Sequence, residues 1–256
     1  MRVESDLPVR VRNTVIGGTM PLICIPLIAA DTASLLEQAE EMVVLKPDLM
    51  EWRIDGYHGL DDERACRNAL SALRSCMGSL PLILTCRMPD EGGMQSLSRE
   101  TRLSVLRALI QTGEVDLTDI EMANDEAFIG EIKAVSALHG VRLIYSAHDF
   151  SRTPDAAAIV RLLEKAQALG ADIAKVAVAP TCFADSLTLM QATLSARTGP
   201  LKIPMITMAM GQMGRVTRIA GGLFGSDITF AAGQIPSAPG QIPITELRQA
   251  MAILYP

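Results

Sequence analysis

The stretch VRLIYSAHDFSRTPDAAAIVRLLEKAQALGADIAKVAV, residues 141–178, decides the fold. Residues 141–147 form a short apolar run of strand-forming character. Residues 155–169 then space apolar side chains three and four apart among charged ones, the period of a helix with one buried face. Residues 172–178 return to an apolar run broken by a single lysine. Strand, helix and strand in about 40 residues make a βαβ unit, whose two strands run parallel and are covered on both faces.

The unit recurs. Runs at 21–28, 48–54, 80–86, 115–121, 203–209 and 227–232 supply six more strands, and helical spacing marks 32–45, 98–111 and 186–196. Strand starts lie about 24 to 35 residues apart, the length of a βαβ repeat. Eight such units in 256 residues predict a closed (β/α)8 TIM barrel. An open doubly wound sheet fits less well, since no G-x-G-x-x-G follows the first strand. No linker or shift in composition divides the chain, so residues 1–256 are expected to form a single barrel domain. The alternating VRVRNTVIGG (9–18) predicts a β-hairpin within residues 1–20 that closes the bottom of the barrel.

Composition narrows the function. Hydrophobic residues make up 49% but aromatics only 4%, so aliphatic side chains and methionine must fill the core. A net charge of −6 offers no general attraction for nucleic acid or an anionic membrane. An anionic small molecule must be drawn in locally, by arginines. Cys24, Cys66, Cys76, Cys86 and Cys182 are odd in number and show no metal-binding spacing, which fits reduced thiols and a cytoplasmic protein without a metal. The charged N-terminus is unlike a secretory signal, and no apolar run reaches membrane-spanning length.

A TIM barrel collects its chemistry at the C-terminal ends of its strands, and unusual polar residues fall there. MEWRID (50–55) places Glu51 and Arg53 on one strand face, and TCRMPDEGG (85–93) supplies Arg87 and then Glu91. His148 ends the run at 141–147. Lys175 interrupts ADIAKVAVAP (171–180), whereas Lys46, Lys133, Lys165 and Lys202 sit in helices or loops. Desolvation in a barrel mouth disfavours an ammonium, making a neutral amine, a nucleophile for ketones, easier to form. The plainer reading is a lysine packed in the sheet with its ammonium paired to a carboxylate. His148 is either a structural imidazole at a strand end or an acid/base able to reach whatever is attached to Lys175 on the adjacent strand. A carboxylate such as Glu91 could orient it. His58 and His139 read as solvated. Arg218 in GRVTRIAGG (214–222) belongs either to an exposed helix start or to an anion site after the seventh strand. GQIPSAPGQIP (233–243), with Ser237 and Gln241, is a connector or a lid over the substrate.

These motifs, EWRID, TCR with EGG, SAHDF, AKVAV, PMITMAMG, RIAGGLFGSDITFA and SAPGQ, occur in order over residues 21–243 and resemble the type I 3-dehydroquinate dehydratases. The resemblance implies a metal-free and cofactor-free (β/α)8 lyase of the shikimate pathway, a homodimer, acting on 3-dehydroquinate. It implies that Lys175 forms a Schiff base with the ring ketone, that His148 is the general acid/base, and that Glu91 pairs with the histidine. By the same resemblance Arg218 binds the substrate carboxylate, while Glu51, Arg53, Arg87, Ser237 and Gln241 hold hydroxyls or close over the ring. Pro26 departs from the pattern, standing where some members carry a serine able to touch the substrate.

Two other functions suit part of this constellation. A Schiff-base class I aldolase shares the barrel and the lysine, but often binds phosphate; the acidic groups and SAPGQ here fit a carboxylated, polyhydroxylated ring. A noncatalytic sensor of a cyclic carboxylic acid would keep the arginines and have no use for a nucleophilic lysine.

Overall fold

The computed structural model describes residues 2–233 and 238–255. Strands β1 (Val9–Val11) and β2 (Thr14–Ile16) pair antiparallel as the expected hairpin. Eight parallel strands follow: β3 (Leu22–Leu27), β4 (Leu49–Arg53), β5 (Leu82–Thr85), β6 (Leu117–Glu121), β7 (Arg142–Asp149), β8 (Ile173–Val178), β9 (Met205–Ala209) and β10 (Ile228–Phe230). They form one sheet in the order β10-β3-β4-β5-β6-β7-β8-β9, with the helices outside. The helices are α1 (Thr32–Val44), α2 (Glu63–Met77), α3 (Arg99–Ile110), α4 (Glu126–His139), α5 (Ala156–Ala168), α6 (Phe183–Thr198), α7 (Arg215–Ala220) and α8 (Ile244–Leu254). The barrel strands lie within the expected runs, and β3, β4, β5 and β10 stop one or two residues short. β7 is the exception: it continues to Asp149, so His148 sits on the strand itself rather than past its end.

Helix starts are fixed locally. Asp31, Asp62, Ser98, Asp125 and Asp155 each accept a backbone N–H from three residues on, which satisfies one of the free donors of a first helical turn.

Strand pairing at the bottom of the barrel repeats a single device. Asp48, Asp116, Asp172 and Asp227 each stand just before an even-numbered strand. Their carboxylates accept the backbone N–H of Ile23, Leu82, Leu143 and Met205, at 2.7, 2.9, 2.8 and 2.7 Å, at the start of the preceding odd-numbered strand. Each aspartate's own N–H donates to the same residue's carbonyl, as in Asp227 N to Met205 O at 2.7 Å. The clamp matters most between β9 and β10, which flank the seam where no strand ladder forms. Ser226 assists there, its Oγ accepting Thr207 N at 3.0 Å.

Period-two alternation divides the interior into levels. At the floor Leu49, Ile83, Leu117, Ile144, Ile173, Ile206 and Ile228 pack with Val9, Val11 and Ile16 of the hairpin, which therefore closes the bottom. One level up stand Glu51, Asp119, Lys175 and Phe230, from the alternate strands β4, β6, β8 and β10. Outward-facing residues such as Trp52, Leu84, Ile120 and Val176 pack against the helices. Dry, aliphatic packing thus lies on every side of the polar level except the top.

Asp227 also receives the guanidinium groups of Arg2 and Arg197, all three side chains being buried. Asp227→Ala should cost about 3–5 kcal/mol, because it leaves buried cations unpaired at the seam. Asp172→Ala should cost about 1 kcal/mol, since its partner Arg142 is half in solvent. Urea unfolding of both variants measures the ranking, and equal losses would contradict a special role for the seam.

Candidate active site

The barrel's upper end opens into a pocket lined by Glu51, Arg53, Arg87, Glu91, His148, Lys175, Arg218 and Gln241. The structure therefore brings together every site residue expected from sequence except Ser237, which lies outside the described residues, as do 234–236 of the 233–243 segment that reads as a connector or lid. Phe150, Ala177, Met208, Met210, Phe230 and Pro239 supply the apolar walls.

Lys175 is 5% exposed and rises from the middle of β8. Its Nζ donates to Asp119 Oδ2 at 2.6 Å, lies 4.0 Å from Glu51 Oε1, and sits 4.7 Å from the centroid of the Phe230 ring. The paired-ammonium reading thus describes the resting lysine, and its desolvated position remains. Asp119 is shared. Arg87 grips it with two bonds, at 2.8 and 3.1 Å, and Ser146 Oγ donates to Oδ1 at 2.5 Å. Burial alone would raise this carboxyl, yet the Arg87 and Lys175 cations hold it far below the usual carboxylate range. Arg87 also donates to Glu121 at 2.9 Å, and Glu121 in turn accepts from Arg102 of α3 at 2.9 Å. The terminal nitrogens of Arg87 are thus engaged within the protein.

Glu91 ends a 3-10 turn, Pro89–Glu91. Gly92 follows at φ 87°, and a Cβ there would fall 2.4 Å from the Phe150 ring, so only glycine lets this turn lie against the pocket wall. Glu91 Oε2 meets His148 Nδ1 at 2.7 Å and accepts the His148 backbone N–H at 3.0 Å. Burial, reinforced by the charge of Glu121, pushes Glu91 up to about 7. Burial, with the Arg87 and Lys175 cations nearby, pulls His148 well below the ordinary histidine range, so the ring is neutral. With Glu91 ionised, Nδ1–H donates to the carboxylate and Nε2 keeps a free lone pair.

Arg218 lies in α7 and is buried, which rules out the exposed-helix reading. Its terminal nitrogens donate to Phe230 O at 3.1 Å and Pro239 O at 3.3 Å, while Nε is buried with no partner among the described residues. Among the described residues no carboxylate pairs with it, and burial drives it down to about 10. Gln241 is buried at the same wall. Arg53 is held by Asp55 through two bonds of 2.8 Å and reaches Gly92 O at 3.1 Å. Pro26, inward on β3 beside Glu51 in register, offers no hydroxyl. His58 and His139 are exposed.

A family profile described as type I 3-dehydroquinase matches residues 23–256. The chain belongs to the type I 3-dehydroquinase family. Membership makes it an enzyme of the hydro-lyase class. Among its dehydroquinase relatives, the 3-dehydroquinate dehydratase of Aromatoleum aromaticum is 43% identical, over 94% of this chain and 92% of that one. The crystal structure of the Geobacillus kaustophilus 3-dehydroquinate dehydratase superposes with a TM-score of 0.96 at 41% identity, covering 99% and 98% of the two chains. The type I enzyme from Clostridium difficile, solved with covalently modified comenic acid, follows at TM-score 0.93 and 35% identity, with 97% of each chain covered.

Sequence reasoning overlooked Asp119, Glu121, Ser146 and Thr85, all buried and all bonded to the expected residues. The signal was present in VDLTDIE, where Asp119 and Glu121 alternate with residues that face the helices. Because His148 N–H and Nδ1 share one oxygen of Glu91, the His148 backbone amide should titrate in an NMR pH series with a midpoint of about 7. Glu91→Gln should abolish that step; its persistence would assign the titration elsewhere.

Proposed function

We propose that this enzyme dehydrates 3-dehydroquinate to 3-dehydroshikimate through a Schiff base on Lys175. The observation that carries the reading is the meeting, in one pocket, of a buried lysine, a neutral histidine oriented by a carboxylate, and a buried arginine with no acidic partner among the described residues. The arginine calls for an anion, which the substrate carboxylate supplies. Arg53, Glu51, Gln241 and Ser237 are assigned to the ring hydroxyls. Arg87 lines the pocket while fixing Asp119.

In the cycle we propose, the Lys175 ammonium gives up a proton and the amine adds to the ring ketone; the ketone oxygen takes that proton and one more from the nitrogen and departs as water, leaving an iminium. The iminium draws electrons from the neighbouring carbon, and His148 Nε2 removes a proton there to give an enamine. Returning electrons expel the β-hydroxyl, which takes that proton from His148 and leaves as water in a syn elimination. Hydrolysis of the conjugated iminium frees product and lysine. Glu91 sets the direction of transfer: ionised, it keeps Nδ1–H in place and Nε2 basic. No step requires a metal or organic cofactor. The free thiols of all five cysteines support residence in a reducing, cytoplasmic compartment.

An aldolase would also use the iminium, but the dyad beside it is equipped for proton removal, and the buried guanidinium suits a carboxylate. Borohydride added with 3-dehydroquinate should reduce the iminium to a stable amine on Lys175, seen by peptide mass mapping. Lys175→Ala should give no adduct. His148→Ala should still give the adduct while turnover falls about 10²–10⁴-fold. Rapid turnover by either variant defeats the assignment, and aldol cleavage without dehydration favours the aldolase.

Two further outcomes follow from burial and charge. Turnover should rise with pH through about 7 as Glu91 ionises, a limb that Glu91→Gln should remove. Arg218→Leu should raise KM about 10- to 100-fold, the loss of charged hydrogen bonds worth about 1.5–3 kcal/mol; an unchanged KM would place the carboxylate elsewhere.

A further inference from the structure

The geometry points to Asp119 as the permanent counter-ion of the Lys175 nitrogen, pairing first with the ammonium and then with the iminium that replaces it. This inference rests on the Schiff-base reading above and assigns work to a residue that reading does not use.

The balance of the condensation is the starting point. An ammonium and a ketone give an iminium and water: two N–H protons leave with the ketone oxygen, and the nitrogen carries one positive charge before and after. A carboxylate fixed beside that nitrogen therefore keeps its partner through the condensation and need not be repaired or resolvated. Asp119 is built for this. Its Oδ2 is 2.6 Å from Nζ, the residue is 1% exposed, and Arg87 and Ser146 bind it from the other side, so the oxygens cannot swing away. Arg87 also keeps Asp119 ionised, which prevents it from taking the lysine proton; His148 is left to move protons. The Phe230 ring face, 4.7 Å from Nζ, favours a cation at the same atom.

Among the described residues, charged and titratable groups face this pair from several strands. Glu51 comes from β4 at 4.0 Å, Arg87 follows β5, Glu121 shares β6, His148 comes from β7, and the buried Cys24 thiol comes from β3. Met208 and Phe230 are the neighbours from β9 and β10 and carry no charge. Glu51 bonds Thr85 Oγ1 at 2.7 Å and stands farther from Nζ, so Asp119 is the dominant partner. Removing its charge must make the cationic nitrogen harder to hold and the neutral amine available at lower pH.

The test is the pH dependence of adduct formation on Lys175, using 3-dehydroquinate and cyanoborohydride and measuring intact mass. In Asp119→Asn the midpoint should move at least one pH unit toward acid, whereas Asp119→Glu, which restores the charge, should stay near the original midpoint even if slower. Less adduct at every pH with an unmoved midpoint would show a structural role only and overturn the inference. Ser146→Ala keeps every charge and serves if Asp119→Asn does not fold. By removing a hydrogen bond that disperses the Asp119 charge, it should move the midpoint toward alkali, and a midpoint that stays or moves to acid overturns the inference. If the unsubstituted enzyme forms no adduct on Lys175, the Schiff-base reading fails and the counter-ion with it; an adduct with an unmoved midpoint in Asp119→Asn defeats the counter-ion alone.

Discussion

A charge buried in the middle of a barrel must be matched, because an unpaired carboxylate or ammonium in such a place neutralises itself or opens the structure to water. Asp119 lies at that point, between the Lys175 ammonium and the Arg87 guanidinium. The rest of the upper barrel follows from satisfying it. Arg87 brings Glu121, Glu121 brings Arg102, and Arg102 ties α3 to the carbonyl of Cys86 at the end of β5. A chain of alternating charges thus runs from the helical layer to the Lys175 nitrogen. Each member fixes the rotamer of the next, which holds Lys175 in a single position.

Beneath this layer the inside of the barrel is packed with apolar side chains. The isoleucine and leucine floor and the hairpin under it exclude water from below, so the polar level is reached from the top alone. Asymmetry of that kind gives the site its character. His148 and Glu91, near the mouth, are shifted chiefly by burial, Glu91 up to about 7 and His148 well below the ordinary histidine range; Asp119, deeper, is locked in one ionisation state by its cations. Arg218 alone among the described pocket cations lacks a carboxylate partner, its terminal nitrogens meeting backbone carbonyls instead.

The fold was legible because it is written in periods. Apolar runs of strand length alternate with helical spacing, and the aspartate before each even strand could have been read as the clamp it proves to be, in PDLM, VDLT, ADIA and SDIT. The expected site residues were legible as polar interruptions at strand ends. Position alone did not tell whether Lys175 was free or paired, whether Arg218 was exposed or buried, or that Arg87 turns its donors inward. Those outcomes depend on which other side chains share the same level of the barrel.

By itself, then, the sequence determined the strand and helix order, the inward parity of Glu51, Asp119 and Lys175 on their strands, and the chemical types present at the mouth. Local backbone preference and hydrophobic period suffice for that. The tertiary structure decided the encounter that governs the lysine. Asp119 and Lys175 are 56 residues apart and stand on β6 and β8, strands separated by β7. They meet because closing the barrel with staggered strands puts side chains from alternate strands into one layer, a relation that exists only once the sheet has closed.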